Sequence, residues 1–126
     1  GIGIGSSLRG NLVNKFKEDS ENINGIIGEV EITNPWLKKL VSNPKIFTFD
    51  INYIQPPLRK VQNSRSLVLY LQREKSIEKM STKKVIKIIE AIYKNIYDIE
   101  NPQDNKYFNL ILKSMGNIKY ISRKTI

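Results

Sequence analysis

Apolar and polar positions alternate most cleanly over residues 45–53, KIFTFDINY. Phe47, Phe49, Ile51 and Tyr53 point one way, and Thr48, Asp50 and Asn52 the other. This period of two is that of a strand with one wet face. Residues 66–72, SLVLYLQ, are largely apolar on both faces, with Leu67, Leu69 and Leu71 on one and Val68 and Tyr70 on the other. That pattern predicts a strand in the interior of a sheet. Sequential strands usually neighbour each other, so these two are expected to pair antiparallel. Between them, residues 54–65 are expected to form a long loop, because Pro56 and Pro57 bar a central strand from continuing. Residues 25–33, GIIGEVEIT, give a less regular strand with Glu29 and Glu31 on one face. The segment NIKYIS near the C-terminal end gives another.

Helical spacing recurs in four places. Leu8, Leu12, Val13 and Phe16 mark residues 7–18, although Gly10 weakens that helix. Asn34 followed by Pro35 reads as a helix start, with Trp36, Leu37, Leu40 and Val41 offered to a core. Ser81 or Thr82 can cap a long helix to about Tyr97, whose stripe is Val85, Ile88, Ile89, Ile92, Tyr93 and Ile96. Lys83, Lys84, Lys87, Glu90 and Lys94 fill its other side as a solvated, ion-paired face. A shorter helix carries Phe108, Ile111 and Leu112 and stops at Gly116. Together these elements predict an α+β fold: a small mixed or antiparallel sheet of about four strands, with helices packed mainly on one face. At 126 residues, the expectation is a single domain with a flexible start over 1–6.

From residue 36 onward, the element order resembles that of a type II KH domain. The Gly-x-x-Gly loop that grips nucleic acid in that family has no counterpart between residues 66 and 126. NPWLKKL, followed later by KKVIKIIEAIYKNI, resembles the closing segments of a two-lobed solute-binding receptor. That fold needs roughly twice this length for two domains, so the resemblance implies at most a fragment or lobe.

Charge sharpens the picture. The chain carries a net +9. Residues 1–57 hold six Lys/Arg and six Asp/Glu, whereas residues 58–126 hold fifteen against six. The abundance of Ile, Asn and Lys also fits AT-rich coding, but that tendency would raise Lys in both halves. A one-sided excess is the footprint of a polyanion partner. Within it, Arg59, Lys60, Arg65, Arg73 and Lys75 flank the apolar run 66–72 and are the candidate nucleic-acid-binding residues, as one patch or, since an antiparallel pair puts Arg73 and Lys75 at the far end from the loop, as two smaller patches at opposite sheet ends. Such side chains contact phosphates without reading sequence. Tyr53 and Tyr70 are candidate stacking surfaces for unpaired bases.

The chain has no Cys and no His, which removes thiolate chemistry, the commonest metal ligand and the usual general base. Glu29, Glu31 and Asp50 could hold a hard cation in a small metal-dependent nuclease of toxin type. No apolar run approaches the length that spans a bilayer. The expectation is therefore a non-catalytic basic module without cofactor, in the cytoplasm or an organellar matrix. It would bind RNA in preference to DNA, or another polyanion, within a larger protein assembly or alone.

Overall fold

The computed structural model describes residues 25–57 and 65–125. The helix expected over 7–18, the flexible start, and Arg59 and Lys60 lie outside these residues. Six strands and three helices follow in the order β1 (Ile26–Glu31), α1 (Leu37–Ser42), β2 (Ile46–Thr48), β3 (Tyr53–Gln55), β4 (Arg65–Gln72), β5 (Lys79–Ser81), α2 (Thr82–Asn95), a 3-10 turn (Pro102–Asp104), α3 (Lys106–Met115) and β6 (Tyr120–Ser122). The fold is α+β, built on a four-stranded antiparallel sheet and a second sheet formed by β5 and β6.

Strand β4 is central, with β1 on one edge and both β2 and β3 on the other. Its two apolar faces explain the position. Leu67, Leu69 and Leu71 enter the main core with α2 and α3, while Val68 and Tyr70 enter a smaller core against Leu37 of α1. The two long helices therefore cover one face and the short α1 covers the other. Trp36 does not join that second core. It is 53% exposed, with the Lys39 ammonium 4.7 Å above its ring centroid.

The strand expected over 45–53 is split. Phe47 pairs with Leu71 and Tyr53 with Leu67, so the edge strand carries two more residues than β4 between these pairs. The extra residues form a bulge. Because their number is even, Phe47, Phe49, Ile51 and Tyr53 all remain buried. The bulge turns its backbone toward the end of the chain: Asp50 N–H donates to the Ser122 carbonyl at 3.2 Å, and Lys124 N–H to that of Thr48 at 2.7 Å. Beyond it the ladder resumes. Residues 54 and 55, assigned from the sequence to a loop, are the end of β3 and pair with Ser66 and Arg65. The two prolines follow the ladder rather than interrupt it.

Helix starts follow local hydrogen bonding. Ser81 caps α2 by accepting from Lys84 N–H, and Asn105 caps α3 by accepting from Tyr107 and Phe108 N–H. Asn34 instead folds its carbonyl oxygen Oδ1 onto Trp36 N–H at 2.8 Å, a side-chain turn that delays α1 to Leu37. Gly116 ends α3 at φ +61°, a backbone conformation that favours glycine.

Candidate functional site

Among the described residues, those singled out from the sequence do not converge. Arg65 opens β4, whereas Arg73 and Lys75 follow its far end. At a rise of roughly 3.3 Å per residue, the two places stand about 25 Å apart. Arg65 is also engaged: its guanidinium is ion-paired with Glu31, a diagonal neighbour across β1 and β4. Tyr53 and Tyr70 are 1% and 6% exposed, so neither offers a stacking face.

The three carboxylates separate as well. Glu29 is not on a wet face; it is 6% exposed and points into the main core side of the sheet. Tyr53 and Tyr97 donate their hydroxyls to its two oxygens, and Gln55 Nε2 reaches Tyr97 Oη at 2.8 Å and Glu29 Oε1 at 3.4 Å. Burial pushes the Glu29 carboxyl above its ordinary value, against the opposing pull of these hydrogen bonds. Burial also raises Tyr53, Tyr93 and Tyr97, with the nearby Glu29 as the next cause. The group is a satisfied polar plug at one end of the core. Asp50 is exposed at the bulge. Among the described residues, no three acids come together in a way that could hold a metal ion.

A different basic surface is assembled by the C-terminal strand. In the β5–β6 pair, Met80 and Ile121 face the core, which turns Lys79, Ser81, Tyr120 and Ser122 outward. Arg123, just beyond β6, holds its surroundings together. Its guanidinium donates to the carbonyls of Asn43 at 2.7 Å, Pro44 at 3.0 Å and Ile77 at 3.3 Å. Three peptide carbonyls from two connections are thereby fixed to one side chain, so Arg123 is a structural clamp.

Beside this clamp lies an open groove of about 730 Å³, lined by Lys38, Ser42, Glu78, Lys79, Arg123 and Lys124 among others. Four of these are cationic and one is acidic. Arg123 spends its donors on carbonyls. Lys38, Lys79 and Lys124 make no salt bridge among the described residues. On the other flank of the same strand pair lies a second groove, of about 390 Å³, which includes Lys83, Ile86, Ile118, Lys119 and Tyr120. Between the two, Lys79 Nζ stands 4.4 Å from the centroid of the Tyr120 ring.

The sequence carried only half of this arrangement. The alternation in NIKYIS puts Tyr120 on one face with Ile118 and Ser122 but does not say which face is buried. Lys79 lies in a stretch too short and polar to announce a strand, and only the pairing of Lys79 with Ser122 and Ser81 with Tyr120 brings the two sides together. The groove thus draws on cations other than those nearest the apolar run, of which Arg65 and Lys75 are exposed elsewhere. No family model, no curated protein and no solved structure matches this chain.

Proposed function

We propose that this chain is a basic binding module for RNA or another polyanion, and that the groove beside β5 and β6 takes the phosphates. The observation that supports this reading is the groove itself: Lys38, Lys79 and Lys124 converge on one concavity from three separate segments, around the fixed Arg123. Lysines free of carboxylate partners keep their full charge available to a phosphate backbone. The excess of fifteen Lys/Arg over six Asp/Glu in residues 58–126 supplies the longer-range attraction. Glu78 on the same rim limits how many phosphates can approach at once.

The test is a titration of an RNA oligomer at several salt concentrations, with and without Mg²⁺, following both retention and cleavage. Log affinity is expected to fall linearly with log salt. The RNA should stay intact. Lys38→Glu with Lys124→Glu should weaken binding and flatten the salt slope. Tight binding indifferent to salt, or unchanged binding by the double variant, would remove the groove from the proposal. Mg²⁺-dependent cleavage would make the chain a nuclease instead.

A further inference from the structure

The surface between the two grooves bears on which polyanion is recognised. Tyr120 is 53% exposed although it stands in a strand whose neighbour Ile121 is 1% exposed. It is held there by backbone. Ser81 and Tyr120 are ladder partners, Thr82 N–H donates to the Lys119 carbonyl at 2.9 Å, and Thr82 Oγ1 donates to that of Ile118 at 2.7 Å. The ring therefore sits on a hydrogen-bonded ribbon at the start of a 14-residue helix. It is flanked by lysines: Lys79 above it, and Lys83 and Lys119 in the adjoining groove.

An inorganic polyanion would use the lysines and leave the ring without a role, and a sulfated carbohydrate surrounds its ring with charged groups and offers no flat π face to stack. A duplex would present its phosphates and keep its bases stacked inside. An unpaired nucleotide uses both features, with its base on the aromatic face and its phosphates on the lysines to either side. The Lys79 ammonium now over the ring is at an exposed site, where such a contact is weak. It can turn to a phosphate as a base takes its place.

We infer that the β5–β6 ribbon is a binding platform for single-stranded nucleic acid, with Tyr120 stacking on a base and the lysines of the two flanking grooves taking the phosphates before and after it. This rests on the polyanion reading and narrows it to one ligand class.

The experiment compares three probes at one salt concentration: a single-stranded RNA oligomer, duplex RNA of the same length, and heparin, which has charge but no bases. Each is titrated into the wild-type chain, Tyr120→Ala and Tyr120→Phe, with thermal melts to confirm that all three fold. Tyr120→Ala should weaken single-strand binding roughly ten- to a hundredfold, as expected for one lost base stack. It should leave heparin binding unchanged, and Tyr120→Phe should bind like the wild type. Duplex RNA should bind more weakly than the single strand. If Tyr120→Ala binds the single strand normally, or loses heparin equally, the stacking platform is wrong while polyanion binding stands. If the duplex matches the single strand, the ligand class is wrong. If none of the three probes binds the wild-type chain, the polyanion reading itself has failed.

Discussion

Gly28 of β1 stands directly opposite Tyr70 of β4, and the tyrosine ring occupies the space that a side chain at residue 28 would need. A Cβ there would come within 2.3 Å of both Cζ and Oη of Tyr70. The ring belongs to the smaller core against α1, so it can move aside only by loosening its packing on Val30, Leu37, Ile46 and Val68. Gly28→Ala is expected to destabilise the fold by roughly 1–3 kcal/mol, the usual cost of overpacking. Denaturant melts check this. The clash also implies non-additivity: in a Tyr70→Ala background, the same substitution should cost much less. Equal costs in both backgrounds would mean that the ring is not what excludes a side chain.

Glu29 makes stability depend on pH in a defined direction. Burial raises its folded carboxyl above the ordinary value of 4.5. A raised folded value means that the native state holds the proton more tightly than the unfolded chain. The stabilisation is then fully present below about 4.5 and is lost as pH rises through the raised value. Comparing the wild type with Glu29→Gln across this window isolates the effect from the other acids. The wild type should lose stability relative to the variant as pH increases from about 4.5 upward. A difference that stays flat would show that the hydrogen bonds from Tyr53 and Tyr97 balance burial, and one that runs the other way that they outweigh it. Glu29→Ala is expected to be costly at any of these pH values. It strands the buried Tyr53 hydroxyl, a loss of roughly 1–3 kcal/mol for that donor alone.

Leu69 and Arg65 lie on the same strand, yet removing them should have very different consequences. Leu69 is fully buried in the main core, so Leu69→Ala should open a cavity and cost roughly 2–5 kcal/mol. Arg65 is 54% exposed at the side chain, and its partner Glu31 is 45% exposed. Arg65→Ala therefore loses one surface ion pair, worth about 0–1 kcal/mol. Thermal or urea melts of the two variants give the comparison directly. A large cost for Arg65→Ala would make the Arg65–Glu31 pair part of the polar plug around Glu29 rather than its solvated rim.

Patterning made much of this architecture legible. The apolar doublet of faces in residues 66–72 identified the central strand, because a strand with no polar side must be covered on both. The same logic placed Val85, Ile88, Ile89, Ile92 and Tyr93 on the buried side of α2, its cap at Ser81 or Thr82, of which the structure uses Ser81, and Gly116 at the stop of α3. These features depend on local backbone geometry and on the period of side-chain burial, both of which are written within a few consecutive residues.

Relationships across the sheet were not written there. Strand alternation put Glu29 and Glu31 on one face but does not say what lies over it; Tyr53, Gln55 and Tyr97 arrive from other elements. Tyr53 and Tyr70 looked available for stacking, but a tyrosine in an apolar run packs with that run. The split of residues 45–53 depends on the end of the chain taking up the backbone groups of the bulge. Of the two arrangements open for the cations beside the apolar run, one patch or two at opposite sheet ends, the extended strand gives the second for Arg65 against Arg73 and Lys75. The chain thus determined by itself that its second half is basic and its central strand buried, since composition and periodicity are local sums. Which cations share a concavity, and that Tyr120 stands among them, was decided only when the β5–β6 pairing and the Arg123 clamp brought distant segments to one surface.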